Sequence, residues 1–401
     1  MSAPKLRFKE FDGDWSLKKL GDLSFKPQYG MNSSATEFDG ENKYLRITDI
    51  NEDDHSFNFS KLTSPDDDLD DKYLLKKGDL LFARTGASVG KSYLYNSKDG
   101  KVYFAGFLIK FSLQKDVNPY FVFSQTLSKK FQNWVITNSM RSGQPGINAE
   151  EYSLLPISFT SLEEQTKIAS FLSQVDEKIQ QLNQKHELLN QYKQGMMQKL
   201  FSQQILFKAD DGSEFGEWEE TTLGKVAEII GGGTPSTDNE DYWNGNIVWL
   251  TPSEINKKFI SESKRTISEL GVQKSSAKKL PIGTILFTSR ATIGEVSIAM
   301  QEVTTNQGFQ SFLTNSNTFN EFLYYWIIQN KKKFIERASG STFLEISKSK
   351  IQPMKLLLPC LEEQTKIANF LSAIDQKIEV VAQQIEQTKQ WKKGLLQQMF
   401  V

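Results

Sequence analysis

The sequence predicts an α+β protein with a pseudo-twofold internal repeat, in which two domains of mixed sheet and helix are separated by two long antiparallel coiled-coil helices. Residues 162–179 recur 199 positions later with 14 identities in 18, and each copy opens a long heptad pattern. The blocks ahead of the copies carry short β-rich runs between glycine-rich loops. We therefore predict a first domain at 1–158, a central helix at 159–204, a second domain at 205–358 and a C-terminal helix at 359–401.

The repeated segments predict helices because their apolar residues step by four and three for nearly five heptads, with no internal proline. Pro156 and Pro359 lie just upstream, and two glutamates occupy each first turn, where the helix dipole favours negative charge. Neither helix can bury its apolar seam alone, and the other copy is the obvious partner. The predicted helix–helix interface comprises Ile168, Leu172, Val175, Ile179, Leu182, Leu189, Ile367, Leu371, Ile374, Ile378, Val381 and Ile385.

Three polar residues interrupt these seams. Lys193 and Lys392 occupy matching positions, and two interpretations stay open: they select the register or mark where a third helix enters, or their long side chains simply extend to solvent. His186 is interpreted as a tolerated seam residue rather than a ligand.

The two variable blocks show weak sequence similarity to each other. Trp15 corresponds to Trp218, residues 78–82 correspond to 283–287, and residues 105–107 correspond to 307–309. Strands are predicted near 44–50, 79–83, 102–111, 247–250, 284–288 and 310–314, with one helix per block at 118–136 and 320–337. The aromatic residues of those helices are interpreted as core.

Charge permits nucleic-acid binding without demonstrating it. The formal net charge is −1, but nine acids of the first block fall between Asp49 and Asp71. Without that stretch the block holds 20 basic and 12 acidic groups, a balance of +8. The second block also reaches +8, from 16 basic and eight acidic groups, once residues 210–241 are set aside. Each block thus has enough cations for one positive face.

Composition argues against chemistry on this chain. A single cysteine, Cys360, excludes an intrachain disulfide and cysteine-rich zinc clusters, and His55 and His186 are the two histidines. Pro65-Asp66 and Asp70-Asp71-Lys72 lie too close together for a nuclease metal site, and the glycines at 231–233 do not open a phosphate-binding helix. No metal site and no catalytic residue is predicted. The N-terminus lacks an apolar signal core and no apolar run reaches about 20 residues, which predicts a cytoplasmic protein.

The repeated LEEQTKIASFL…DEKI motif, closing blocks that begin LRFKEFDGDW and EFGEW, resembles the specificity (S) subunit of type I restriction-modification systems over essentially the whole chain. The resemblance implies two target-recognition domains that each read half of an interrupted, asymmetric DNA sequence. The paired helices would set the gap between the halves and dock two modification subunits, which bring S-adenosylmethionine and methylate adenine. Restriction subunits with ATP and Mg²⁺ would join the larger complex, and this chain would itself catalyse nothing. From the predicted helix length, half-site centres are expected about 10–17 bp apart.

Polar and cationic residues on glycine-flanked loops are the predicted DNA contacts, because backbone there approaches phosphate closely. The glycine-rich loop at 289–294 differs from its counterpart at 84–91 by a one-residue shift and carries Glu295 in place of Lys91, so a shared phosphate contact at that position is in doubt. The predicted residues are Arg84, Thr85, Ser88, Lys91, Arg141, Ser142 and Gln144 in the first domain, and Ser289, Arg290, Thr292, Asn306, Gln307, Ser339 and Ser341 in the second.

Two other classes of function compete with a DNA-reading scaffold. One is an enzyme in its own right, such as a fused nuclease, which the lack of nuclease and methyltransferase motifs in the sequence disfavours. The other is a coiled-coil adaptor that binds only proteins, which leaves unexplained why the helices match while the domains differ. The target bases, the gap length and the oligomeric state of the isolated chain do not follow from the sequence.

Overall fold

The computed structural model describes residues 4–340 and 344–400. The chain divides into two compact units: unit 1 joins the chain up to Gln184 with the segment from Ala382 onward, and unit 2 spans Lys185–Val381. Each unit therefore holds one α+β domain together with a portion of both long helices. The predicted fold class is confirmed.

The domain of unit 1 consists of short strands and three short helices, followed by a long helix that continues into unit 2. The strands are β1 Ser16–Lys19, β2 Gln28–Tyr29, β3 Ala35–Glu37, β4 Lys43–Leu45, β5 Thr63–Pro65, β6 Asp79–Ala83, β7 Ser92–Leu94, β8 Val102–Phe104, β9 Leu108–Ser112 and β10 Pro156–Phe159. The helices are α1 Pro119–Thr126, α2 Lys129–Ser139, α3 Ala149–Ser153 and the long α4 Leu162–Phe201. Short 3₁₀ turns lie at Leu20–Leu23, Ile47–Asp49, Phe59–Lys61, Asp71–Tyr73, Gly86–Ser88 and Ser97–Asp99.

The main sheet of unit 1 has the strand order β2-β9-β6-β7. Strand β6 is buried on both faces: Leu80 and Phe82 pack with the helices, whereas Leu81 and Ala83 pack into a second core. Two-stranded ladders join β3 to β5, β4 to β8 and β1 to β10, the last with Ser16 opposite Phe159. The β1–β10 ladder thus ties the start of the domain to the strand that precedes α4.

The domain of unit 2 follows the same plan. Its strands are β11 Glu219–Thr222, β12 Ala227–Gly231, β13 Trp243–Leu250, β14 Phe259–Ile260, β15 Arg265–Ile267, β16 Ile285–Phe287, β17 Val296–Ala299, β18 Val303–Thr305, β19 Gln310–Thr314 and β20 Lys355–Leu358. Its helices are α5 Leu223–Val226, α6 Glu269–Gln273, α7 Asn320–Gln329, α8 Lys331–Arg337, α9 Lys348–Ile351 and the long α10 Leu361–Met399, with 3₁₀ turns at Glu240–Tyr242 and Pro252–Glu254. The sheets have the orders β12-β19-β16-β17-β14, β15-β13-β18 and β11-β20.

Several predicted elements are shorter than expected. The single helices predicted at 118–136 and 320–337 are each two helices, because Ser128 caps α2 by accepting a hydrogen bond from the Phe131 amide at 3.2 Å and Asn330 leaves helical geometry between α7 and α8. The strand predicted at 44–50 ends at Leu45, where a 3₁₀ turn begins, and the strand predicted at 102–111 is broken between β8 and β9. The predicted strand at 310–314 is confirmed as β19.

The repeated Glu-Gln dipeptide anchors each long helix to its domain. Gln165 is fully buried, accepts a hydrogen bond from the Asn118 amide at 2.9 Å and donates one to the Thr160 carbonyl at 2.7 Å. Gln364 repeats this, accepting from the Phe319 amide at 2.8 Å and donating to the Pro359 carbonyl at 2.9 Å. The first turn of each long helix is therefore held by the loop that starts the domain's helix pair.

The neighbouring glutamates are buried with different partners. Glu164 accepts hydrogen bonds from Arg7 at 2.7 Å and Trp15 at 3.3 Å, and Glu363 accepts one from Trp218 at 3.0 Å. Burial opposes ionisation of Glu164, but the bonds from Arg7 and its neighbours outweigh it and lower the pKa of that carboxyl. Burial raises the pKa of Glu363, for which no ion pair is found in the described parts of the chain; Leu206 stands where the repeat would place an arginine.

Within each unit the two long helices run in opposite directions. In unit 1, residues 6 and 7 reach both Gln398 and Glu164, whereas further along α4 Asp176 binds Lys392 at 2.5 Å. In unit 2, Lys193 binds Asp375 at 2.5 Å, and the chain just after α4 meets α10 nearer its start, where Phe207 contacts Phe370. The seam residues Ile168, Leu172, Val175, Ile367, Leu371, Ile374, Leu182 and Val381 are buried, and Ile179, Leu189, Ile378 and Ile385 are half-buried.

The seam lysines form interhelical ion pairs rather than extending to solvent, which favours the interpretation that they select the register. Lys193 and Lys392 are 19% and 14% exposed. The aspartate of each ion pair also accepts a hydrogen bond from a tyrosine hydroxyl of its domain. Tyr120 donates to Asp176, and Tyr325 donates to Asp375 at 2.6 Å. His186 is half-buried, and its carbonyl accepts a bond from Asn190.

Removing one partner of such a pair is expected to destabilise unit 2 specifically. Lys193→Met keeps an apolar stem but leaves the Asp375 carboxylate without its cation, a loss of about 1–3 kcal/mol in the free energy of unfolding. Urea unfolding measures this. The double variant Lys193→Met/Asp375→Leu should recover much of the loss, because it removes both charges; equal instability of the single and double variants would contradict a pairing role.

Candidate nucleic-acid interface

Three loops converge at one end of the unit 1 sheet. Backbone hydrogen bonds join them: the Arg84 amide donates to the Phe107 carbonyl at 3.0 Å, the Ile147 amide to the Arg84 carbonyl at 2.9 Å, and the Gly86 amide to the Pro145 carbonyl at 3.0 Å. We call residues 84–91, 105–107 and 140–147 loop cluster 1. It brings together all seven residues that the sequence predicted as DNA contacts in this domain.

Arg84 occupies the centre of loop cluster 1. Its Nε donates to the Gly106 carbonyl at 3.1 Å, and its guanidinium lies 5.2 Å from the Tyr29 ring and 5.8 Å from the Phe107 ring. Both rings are largely solvent-accessible, at 42% and 55%. Nowhere in the described ranges does an acidic side chain pair with Arg84. The stack therefore holds a guanidinium in place without neutralising its charge.

The remaining predicted residues of unit 1 are differently engaged. Lys91 pairs with Glu52 and Arg141 with Glu151, so both cations are neutralised in this structure. Thr85 and Ser88 are half-buried, whereas Ser142 and Gln144 are exposed. The sequence analysis did not predict Tyr29 or Phe107 as site residues. The similarity of residues 105–107 to 307–309 was the feature that could have indicated Phe107.

Loop cluster 2 in unit 2 comprises residues 289–294, 306–308, 339–340 and 344–345. The same two bonds recur, since the Ser289 amide donates to the Gly308 carbonyl at 2.7 Å and the Ile346 amide to the Ser289 carbonyl at 3.0 Å. These bonds make Ser289, rather than Arg290, the counterpart of Arg84, and Gly308 the counterpart of Phe107. The sequence echo had aligned Phe107 with Phe309, which is buried; that alignment is one residue out.

The predicted residues of unit 2 separate into buried and exposed members. Ser289 is fully buried, so it positions the loop and presents no side chain at the surface. Arg290 pairs with Glu345 at 2.9 Å, and Asn306 accepts a bond from the Gly308 amide at 2.8 Å. Thr292, Gln307 and Ser339 are exposed, with Gln307 bound to Thr234. Ser341 lies outside the described residues.

Close backbone crossings explain the glycines beneath both clusters. A Cβ on Gly30 would lie 2.3 Å from the Ala105 carbonyl, and one on Gly232 would lie 2.0 Å from the Asn306 carbonyl. On Gly233 it would lie 2.3 Å from the Ala277 amide. Gly232 and Gly233 are therefore required by packing, whereas a Cβ on Gly231 would make only ordinary contacts, the nearest at 3.7 Å.

Across residues 4–340 and 344–400, no group of three or more His, Cys, Asp and Glu side chains is arranged to hold a metal ion. Burial lowers the pKa of His55, whose Nδ1 lies 3.0 Å from the hydroxyl of the fully buried Ser92. The aspartates at 66–71 are exposed. Among the helices of the described ranges, none combines the length and the hydropathy of a membrane-spanning segment.

The geometry defines a protein that carries two dissimilar polar loop clusters on a repeated helical frame. A family profile described as "Type I restriction modification DNA specificity domain" matches residues 12–191 and 216–390. The chain therefore belongs to the type I restriction-modification specificity family, whose members recognise DNA targets through two domains.

Curated relatives and solved structures agree with this assignment. The type I restriction enzyme MjaIX specificity subunit of Methanocaldococcus jannaschii is 38% identical over 177 residues, which is 43% of this chain and 41% of that protein. The putative MjaX specificity subunit of the same organism is 28% identical over 408 residues, covering 98% and 94%. The crystal structure of the S subunit from M. genitalium has the same fold, with a TM-score of 0.61 at 16% identity, covering 100% of this chain and 99% of that one.

The glycine crossing gives a test of loop cluster 2. Gly232→Ala should force the Asn306 loop to move, costing about 1–3 kcal/mol of unfolding free energy as overpacking does. Gly216→Ala is the matched control, because a Cβ there meets nothing within 4 Å. Thermal unfolding compares the two variants, and equal midpoints would show that the crossing tolerates a methyl group.

Proposed function

We propose that the chain reads an interrupted, asymmetric double-stranded DNA sequence, with loop cluster 1 contacting one half and loop cluster 2 the other. The observation that supports this proposal is that some parts of the internal repeat match closely while others differ. The first parts of the long helices are nearly identical, with 14 identities in 18 residues, whereas the clusters differ at equivalent backbone positions, with Arg84 against Ser289 and Phe107 against Gly308. Surfaces that read different bases need different side chains, and surfaces that meet one partner twice need the same ones.

In this proposal the chain catalyses nothing. Two modification subunits dock on the paired helices, bring S-adenosylmethionine and methylate adenine, and restriction subunits with ATP and Mg²⁺ join them. The paired helices set the number of unspecified base pairs between the halves. The site of action is the cytoplasm, where the DNA lies.

Within each cluster we propose distinct roles. Arg84 contacts a base edge, because its charge is free and its plane is fixed by Tyr29 and Phe107. Lys91 and Arg141 would exchange their carboxylate partners for phosphate oxygens, which makes binding salt-dependent. Arg290 would leave Glu345 to contact a base edge of the second half. The polar residues Thr85, Ser88, Ser142, Gln144, Thr292, Asn306, Gln307 and Ser339 are proposed to complete the two surfaces.

Co-expression with a modification subunit tests the function as a whole. We expect adenine methylation at one interrupted sequence, present only when both proteins are expressed, and genome-wide mapping of methylated adenines reads out both halves and the gap. Methylation or cleavage by this chain alone would favour an enzyme. A complex that forms but never binds DNA would favour a protein-binding adaptor.

Single substitutions test the division of labour. Arg84→Ala should weaken binding about 5- to 150-fold, equivalent to about 1–3 kcal/mol, on DNA carrying both halves. It should have little effect on DNA whose first half is scrambled. Arg84→Lys, which keeps the charge but loses the planar fork, should resemble the alanine variant if Arg84 reads a base.

Arg290→Ala is the matched variant in the other cluster and should affect only the second half. Competition binding at fixed salt measures both variants. An equal loss on intact and scrambled DNA would indicate a phosphate contact instead of base reading.

A further inference from the structure

Two arginines are held against aromatic rings in the described part of the chain. One is Arg84 of loop cluster 1. The other is Arg265, the first residue of β15, whose guanidinium carbon lies 3.6 Å from the centre of the Trp243 ring and 5.6 Å from that of Trp249. Arg265 is exposed, and among residues 4–340 and 344–400 its side chain has neither a hydrogen-bond acceptor nor a carboxylate partner. Its N–H groups are therefore available to a ligand.

A bulge in strand β13 builds the aromatic surface beneath Arg265. The register of β13 against β15 shifts between Trp243 and Ile247, and a Cβ on Gly245 inside the bulge would lie 2.5 Å from the backbone of the residue after β15. Six residues of regular strand would span about 20 Å, whereas the rings of Trp243 and Trp249 meet edge to face with centroids 5.0 Å apart. The bulge therefore directs both indoles to one place, as bulges beside functional sites commonly do.

The segment 232–236 joins this tryptophan pair to loop cluster 2. Both indole N–H groups donate to carbonyls of the segment, each at 2.9 Å, and the Thr234 hydroxyl donates to Gln307 in the cluster. Strand order adds a second connection, because β15 pairs with β13 and β13 with β18, which leads into residues 306–308. At about 4.8 Å between strands, Arg265 lies about 10 Å across the sheet from the strand that enters the cluster.

Loop cluster 2 lacks the stack that fixes the arginine of loop cluster 1. Ser289 stands at the position of that arginine and Gly308 at the position of one of its rings. Gly231 stands at the position of the other ring, Tyr29, since the amide two residues further on donates to the last residue of β18 in unit 2 and of β8 in unit 1, at 2.8 Å and 2.9 Å. All three members are thus replaced in unit 2, and Arg265 supplies a fixed guanidinium beside the cluster instead.

We propose that Arg265 reads a base edge in the second half of the DNA target, next to the bases that loop cluster 2 contacts. This rests on the proposed function and adds a recognition position to it. At about 3.4 Å per base pair, 10 Å corresponds to about three base pairs. A guanidinium held flat against an indole keeps its outer N–H groups in one plane, which suits the two acceptors of guanine. A phosphate contact needs only charge, which the exposed neighbour Lys264 would supply without an aromatic support.

Replacing Arg265 by methionine tests this reading. Methionine keeps an apolar side chain over Trp243 but has no donor, so the midpoint of thermal unfolding should stay close to that of the natural chain. The variant is co-expressed with the modification subunit, and methylated adenines are mapped across the genome. We expect one G·C pair of the second half to become degenerate, while the first half and the gap stay unchanged. Arg265→Lys, which keeps the charge but loses the planar fork, should relax the same position.

Lys264→Met is the matched control. It removes the same charge one residue away, where the side chain of an extended segment points to the opposite face, and it should leave the methylated sequence unchanged. Competition binding by the assembled complex gives a second measurement. Arg265→Met should weaken binding to intact DNA about 5- to 150-fold and leave binding to DNA with a scrambled second half unchanged. This measurement also decides the case in which the variant methylates nothing.

The alternatives give different results. An equal loss on intact and scrambled DNA, or an equal effect of Lys264→Met, would assign Arg265 to a phosphate and overturn base reading. Unchanged sequence and affinity in Arg265→Met would show that the arginine only covers Trp243, and a relaxed first half would place it on the wrong half. Each of these results leaves the proposed function standing. If the natural chain with its modification subunit methylates no interrupted sequence, the proposed function itself fails.

Discussion

The carboxylate of Asp176, repeated as Asp375, is the group on which each unit's arrangement depends. It forms an ion pair with a lysine of the other long helix and accepts a hydrogen bond from a tyrosine hydroxyl of the domain. It therefore joins three segments that are distant in sequence. Partly buried ion pairs recover little more than the desolvation they cost, and apolar residues could pack as well. Their contribution is register: sliding either helix by one residue would leave two charges unpaired in an apolar seam.

The repeat keeps two kinds of identity for different reasons. Glu164, Gln165 and their counterparts are identical because their side chains bind the same backbone groups in each domain. Glu187 and Gln191 are repeated as Glu386 and Gln390, and in both copies the glutamine amide donates to the glutamate carboxylate one turn earlier, at 3.2 Å and 2.8 Å. The copies differ where the buried glutamates have different surroundings: Arg7 pairs with Glu164, whereas Leu206 occupies the corresponding position beside Glu363. Identity at these positions therefore marks side chains whose partner within the chain is the same in both copies.

The sequence predicted the parts of the fold that rest on local periodicity. Helices expected at 159–204 and 359–401 are Leu162–Phe201 and Leu361–Met399, because an apolar period of four and three has one regular solution. The breaks at Ser128 and Asn330 were missed, since the two residues between the first pair of helices and the one between the second leave that period almost unchanged. The candidate loops were located by glycine and charge, but the partners of Arg141 and Arg290, and the burial of Ser289, depend on long-range folding that no local pattern encodes.

The construction of the loop clusters explains how one frame supports two different surfaces. Arg84 and Ser289 each make the same two backbone hydrogen bonds, one of which is accepted by Phe107 in the first cluster and by Gly308 in the second. Backbone hydrogen bonds do not depend on the side chain at each position. The loops therefore keep the same contacts when an exposed aromatic residue is replaced by glycine, or an arginine by a buried serine. The constraint falls on the glycines beneath, where a carbonyl lies within 2.3 Å of the place a Cβ would take. The exposed side chains of the loops can therefore differ between the two domains while the backbone fold stays the same.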